Sequence, residues 1–250
     1  MKILAVDTAE QSCSVALVED NVPICETFHL SRMTHSRTLM DMIVNMVENM
    51  AGITIHDVDG FAVASGPGSF TGLRIGISVV KGLAFATLKP SAGISSLDGI
   101  AYQFLFSSVP VCVMMDAKRG EVYCAVYLFS DGRLTQKSDE FVVSPEQAVS
   151  IVDNTNQPHT NRTPQIYTQF QTNNKCLFAG SGAVAFRTLI QDIMGDKALF
   201  APQFQNSVRA SALAHVVFED TTRLSLANGA IVPVYLRLSD AEMNYRRHNQ

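Results

Sequence analysis

The sequence has no tryptophan, few charged residues and no surplus of positive ones. Charged side chains make up 17% of the 250 residues and the formal net charge is −4. A protein that holds a phosphate backbone by itself carries a basic excess, so if this chain serves RNA, a partner supplies the charge. Cysteine is sparse and unpatterned. Cys13, Cys25, Cys112, Cys124 and Cys176 are odd in number and contain no CxxC, which reads as thiols in a reducing compartment rather than a disulfide frame. The six histidines (His29, His35, His56, His159, His215 and His248) form no HExxH and no pair one helical turn apart, so no metal site is assigned. No GxSxG elbow is present; Gly68-Ser69-Phe70-Thr71-Gly72 holds its serine out of register. The opening Met1-Lys2-Ile3-Leu4-Ala5-Val6-Asp7 turns polar too early for a signal peptide. No apolar run is expected to reach the length of a membrane span. A soluble, cytoplasmic protein is the expectation.

Within these limits, hydrophobic residues form 47% of the chain, enough for one large domain or two modest ones. Residues 2–6 read as a strand ending in Asp7, 13–18 and 22–30 as returning strands, and 36–51 as a helix stopped by Gly52. A strand at 60–64 then runs through a glycine-rich loop into a helix from about Gly72 to Leu88. The order repeats: a strand at 109–115 ends in Asp116, a strand returns over 121–129, and Ser144-Pro145 opens a helix with its cap and first-turn proline. Cys176–Ala179, Gly180-Ser181-Gly182 and a helix through Ile193 complete the second round. The chain therefore reads as a duplicated α/β fold with lobes at 1–104 and 105–250. Residues 153–175, rich in Asn, Thr, Gln and Pro, read as a surface excursion, and 239–250 as a polar tail.

The segment 65–76, SGPGSFTGLRIG, is the most informative. Glycine turns between a strand and a helix often cradle phosphate. Here, however, the third glycine comes one residue late for the dinucleotide fingerprint, and no Lys-Ser/Thr follows Gly72 for a Walker loop. A tight turn that relieves close packing fits the spacing better. Asp7 and Asp116, at the ends of buried strands, could hold a metal–water cluster beside nucleotide phosphates. The first adjoining turn, Thr8-Ala9-Glu10-Gln11-Ser12, has no glycine and places a carboxylate where phosphate would sit. The second, Ala117-Lys118-Arg119-Gly120-Glu121, suits an anion better. A weak ATP or ADP cleft would draw on Asp7, Asp116, Lys118, Arg119, Gly180 and Gly182; hydrolysis and a resident cofactor are not expected.

Both helices of the first half are apolar over far more than the ~100° stripe a surface helix needs. In 36–51 the run includes Leu39, Met40, Met42, Ile43, Val44, Met46, Val47 and Met50. In 72–88 it includes Leu73, Ile75, Ile77, Val79, Val80, Leu83, Phe85 and Leu88. One face can pack on a sheet, and the surplus needs a second cover. On pattern alone, enclosure within the monomer and cover by a partner stand equally open.

Ile3-Leu4-Ala5-Val6-Asp7-Thr8, His35-Ser36, the run from Ala64 to Gly76, Asp116-Ala117-Lys118-Arg119-Gly120-Glu121-Val122-Tyr123 and Pro233-Val234-Tyr235-Leu236-Arg237 occur in that order. Together they closely resemble the TsaB (YeaZ) family of bacterial threonylcarbamoyladenosine biosynthesis, over nearly the whole chain. The excursion and the tail depart from the compact family pattern. The resemblance implies an actin-like (ASKHA, ribonuclease-H-like) fold of two lobes. It also implies a non-catalytic subunit that pairs with the paralogous transferase TsaD, with the ATPase TsaE as a third member. The complex modifies the adenosine beside the anticodon of ANN-reading tRNAs, so tRNA is met only through the complex. His35 lacks the partner that would complete a TsaD metal pair. The resemblance makes the two apolar helices the pairing surface, used with TsaD or in a homodimer, and helical periodicity picks Leu39, Ile43, Met46, Met50, Leu73, Ile77 and Val80 as the side chains that face the partner. A small-molecule kinase and a metalloprotease of the same fold are the competing readings.

Overall fold

The computed structural model describes residues 1–30, 35–152, 175–226 and 231–237. Most of the excursion at 153–175, and the tail at 239–250, lie outside the described residues. The chain divides into two compact units, Met1–Tyr102 with Val208–Gln250, and Gln103–Ser207.

In the first unit, β1 (Lys2–Asp7), β2 (Ser12–Glu19) and β3 (Val22–Leu30) form an antiparallel meander. To it β4 (Gly60–Gly66) and β5 (Ser91–Ser95) add in parallel, giving the order β3-β2-β1-β4-β5. β1 and β4 are buried almost throughout, as central strands covered on both faces must be. The helices α1 (His35–Val44), continued by a π turn over Asn45–Met50, and α2 (Phe70–Thr87) pack against this sheet, as do α3 (Ser96–Ala101) and α7 (Ala210–Glu219). Helix α2 is long and apolar enough, by length and composition, to match a membrane span, against expectation. Its apolarity is used within the fold: Leu73, Ile77, Val80 and Ala84, spaced at helical intervals, are buried in the unit.

In the second unit, β6 (Val111–Lys118), β7 (Glu121–Ser130) and β8 (Arg133–Lys137) are antiparallel, and β10 (Cys176–Ala179) and β11 (Ala198–Phe200) add in parallel. The order β8-β7-β6-β10-β11 repeats that of the first unit, with β9 (Phe141–Val143) pairing to β7 as an extra. Helices α4 (Pro145–Val152), α5 (Ser181–Ala185) and α6 (Arg187–Met194) belong here. The core gathers Met114, Val122, Val126, Phe178, Ile190 and Met194.

The division into 1–104 and 105–250 needs one correction. Helix α7 belongs with the first sheet, because β2 and β3 cap it. The Ala210 N–H donates to Ser14 Oγ at 3.1 Å and the Ser211 N–H to Glu26 Oε1 at 3.1 Å. The Ser211 hydroxyl donates to Glu26 Oε2 at 2.9 Å. A carboxylate and a hydroxyl thus satisfy donors that a helix N-terminus leaves open, with the dipole favouring the negative charge. Capping groups almost two hundred residues upstream leave no trace in local pattern. All five cysteines are free, and all but Cys25 are buried. Burial pushes the Cys13 thiol up to about 12, where it is unreactive.

Candidate functional site

The glycine loop of the first unit joins β4 to α2. Ser69 caps α2, its Oγ accepting from the Gly72 N–H at 3.3 Å. The Ser69 N–H donates to the Ala9 carbonyl at 2.7 Å, and the Thr8 hydroxyl donates to the Gly72 carbonyl at 2.7 Å. A Cβ at Gly72 would collide with the Thr8 carbonyl oxygen. The glycines therefore bring the start of α2 onto the backbone of the β1–β2 turn. Gly66, at φ +127°, does the same for the strap at 231–237, where a Cβ would meet the Val234 carbonyl. The Val234 N–H donates to the Ser65 carbonyl at 2.7 Å.

Two sequence segments thus meet, and the meeting extends to their side chains. Tyr235 stacks on Phe70 with ring centroids 4.9 Å apart. The Arg74 guanidinium lies 3.7 Å from the Phe70 ring centroid, and Arg74 Nε donates to the Tyr235 hydroxyl at 3.1 Å. The i,i+4 spacing of Phe70 and Arg74 was readable as a helix-surface pair; the contact with Tyr235 was not.

The candidate nucleotide residues fall in both units. Asp7 is fully buried. One of its oxygens accepts from the Ala9 N–H at 2.9 Å and the other has no partner among the described residues. Burial, helped by the Glu10 carboxylate, holds the Asp7 carboxyl well above the usual range. In the second unit Asp116 is partly exposed and accepts from both the Lys118 N–H, at 2.8 Å, and Lys118 Nζ, at 2.6 Å. Lys118 and Arg119 sit with Gly120 in the left-handed region, turning the β6–β7 hairpin. Gly180 donates its N–H to Asn206 Oδ1 at 2.8 Å, and at φ +104° it leaves no room for a Cβ beside the Met114 carbonyl. Gly182 is also close to Met114, though less so, a Cβ there meeting the carbonyl oxygen at 2.9 Å, farther than one at Gly180 would. In each unit some loop amides are engaged by the chain itself: those of Ser69 and Gly72 in the first, and of Lys118 and Gly180 in the second. A carboxyl held toward its neutral form is also a poor metal–water anchor.

The helix surplus is real, but its two stripes are the reverse of the expected ones. Leu39, Ile43, Met46, Leu73, Ile77 and Val80 are each at most 4% exposed. They form the sheet-side stripe and present almost no surface, Leu39 reaching only the floor of the groove between the helices; of the expected contacts only Met50, 53% exposed, faces out. Periodicity gives two apolar stripes without saying which one the sheet takes. The outward stripe carries Met40 and Val44, one turn apart and 41% and 43% exposed, with Phe70 and Phe85 on α2. Between α1 and α2 lies an open groove of about 520 Å³, lined by Leu39 at its floor and by Met40, Phe70, Arg74, Ile75 and Val79. The His35 side chain lies outside the described residues. Among the described residues no three His, Cys, Asp or Glu side chains gather as metal ligands.

Two sheets with the same strand order, each an antiparallel meander extended by parallel strands and carrying a glycine loop, define an actin-like α/β protein. The model of the family described as TsaD, tRNA N6-adenosine threonylcarbamoyltransferase, matches residues 29–245. The tRNA threonylcarbamoyladenosine biosynthesis protein TsaB of Bacillus subtilis is 29% identical over 98% of this chain and 98% of its own. TsaB of Haemophilus influenzae is 33% identical over 70% of this chain and 77% of its own. The solved structure of YeaZ from Pseudomonas aeruginosa superposes with a TM-score of 0.71 at 27% identity, covering 94% of this chain and 99% of that one. The chain belongs to the TsaB family, within the wider group that the TsaD model describes.

Proposed function

We propose that this chain is the non-catalytic subunit of a tRNA threonylcarbamoyladenosine-forming complex. It binds a TsaD-type transferase and is required for modification of the adenosine beside the anticodon of ANN-reading tRNAs. The observation that carries this reading is the outward stripe of α1 and α2, with its apolar groove. An exposed thioether- and aliphatic-lined channel between two helices suits the apolar face of another helix. The net charge of −4 supports tRNA contact through the complex rather than by this chain alone. The reading places the protein in the cytoplasm, with a TsaE-type ATPase as the third member and no cofactor of its own. In isolation the same groove would take a second copy. The kinase reading gains nothing from loops whose amides are engaged, and the metalloprotease reading gains nothing from the scattered histidines.

The test is reconstitution of tRNA modification from purified transferase, ATPase, tRNA and threonylcarbamoyl adenylate, with and without this subunit. Modification is expected only with it; equal modification without it contradicts the proposal. Met40→Asp, on the exposed stripe, is expected to keep the fold and lose the complex in sedimentation.

A further inference from the structure

The geometry points to Arg74 as the charge anchor of the α1–α2 groove: it takes a carboxylate presented by a helix of the partner subunit, and Tyr235 is the positioning residue that holds it ready. The inference rests on the proposed pairing with a TsaD-type chain and names the chemistry of that contact. The other described side chains lining the groove carry no charge, so among the described residues Arg74 is its single ionic feature. Its Nε is engaged by the Tyr235 hydroxyl and its plane lies on the Phe70 ring. Among the described residues no carboxylate pairs with it, and the first turn of α2 contains no acid. The two terminal guanidinium nitrogens thus keep their donors, in the planar fork that matches a carboxylate.

An arginine that only kept this face soluble would gain nothing from being immobilised, since a long side chain loses rotamer freedom on fixing. Here the fixing is built in by the Phe70 ring and the Tyr235 hydroxyl, with Tyr235 itself stacked on Phe70, and the strap bearing Tyr235 is tied to β4 through Val234 and Ser65. Pre-ordering of this kind raises affinity by removing a cost of binding. A carboxylate is favoured over RNA phosphate because a nucleic-acid surface would gather several cations, and this groove has one among the described residues. A helix is favoured as its carrier because Ile75 and Val79 line the groove one turn apart, as a receiving helix does.

The test is calorimetric binding of the full-length chain to a TsaD-type transferase, with Arg74→Ala, Arg74→Lys, Tyr235→Phe and the double variant Arg74→Ala/Tyr235→Phe. Arg74→Ala is expected to weaken binding about 30-fold or more with its thermal unfolding unchanged. Arg74→Lys is expected not to restore it, for want of the fork. Tyr235→Phe is expected to weaken binding several-fold alone and to add nothing to Arg74→Ala, because it acts through that residue. Binding by Arg74→Ala within threefold of the parent overturns the inference, as does full additivity of the two changes. If Met40→Asp abolishes binding in the same series, the groove survives and only the anchor fails; if neither change alters binding, the pairing itself is wrong.

Discussion

The two units share a strand order and a device but not a surface. In each, a glycine after a parallel strand lets the following helix settle on the backbone of the antiparallel hairpin, Gly72 against Thr8 and Gly180 against Met114. In the first unit this device launches an 18-residue helix, which lies beside α1 and leaves an apolar groove. In the second it launches a five-residue helix, α5, followed after Phe186 by the eight-residue α6, whose buried side is only Ile190 and Met194. A duplicated architecture therefore repeats its packing geometry, while the groove between two long apolar-faced helices lies in the first unit; the second exposes its own scattered apolar side chains, Phe106, Val184, Ile193 and Phe204 among them.

The largest expected effect separates the two stripes of the first unit. Met46→Asp or Val80→Asp places an unpaired charge at a position with 0% exposure. Each should cost more than about 4 kcal/mol, seen as loss of the cooperative melting transition, whereas Met40→Asp should melt close to the parent. Next, Gly72→Ala and Gly180→Ala should each cost about 3 kcal/mol in denaturant titrations. Gly180→Ala adds the strain of a left-handed backbone to its clash with Met114. Similar losses would establish the device as common to both units; a neutral Gly180→Ala would break the parallel.

These contrasts also show what could be read from the residues. Strand β1, the loop at 65–69 and the two apolar helices follow from local alternation, glycine spacing and period, and they were legible. The inward stripe was not, because α1 and α2 each carry apolar residues beyond the one stripe a sheet covers, and only the position of the sheet decides which of them it takes. The return of α7 to the first sheet depends on Ser14 and Glu26, and the Tyr235 clasp on Phe70 and Arg74. Such long-range contacts carry no local periodicity.

A smaller effect distinguishes the two aspartates at equivalent strand ends. Burial raises the Asp7 carboxyl above its unfolded range, so the folded state holds its proton more tightly. The stability this confers is fully present below about pH 4 and is lost as pH rises through the folded value. Asp7→Asn, which keeps an acceptor for the Ala9 N–H, should flatten that decline, by up to about 1.4 kcal/mol per pH unit, and should melt above the parent at pH 8. Asp116 pairs with a Lys118 that is 71% exposed, so Asp116→Asn should shift stability by less than about 1 kcal/mol. The smallest effect is a gain: Gly82, exposed within α2 with nothing near its missing Cβ, should stabilise the first unit by about 0.5–1 kcal/mol on change to Ala.

Hydrogen exchange of the chain, free and bound to a TsaD-type transferase, tests most directly whether function sits on the surplus surface of one unit. Added protection is expected across 35–50 and 70–88 and at the strap around Tyr235, with 181–194 unchanged. Protection concentrated in 181–194, with α1 and α2 exchanging as in the free chain, would contradict it.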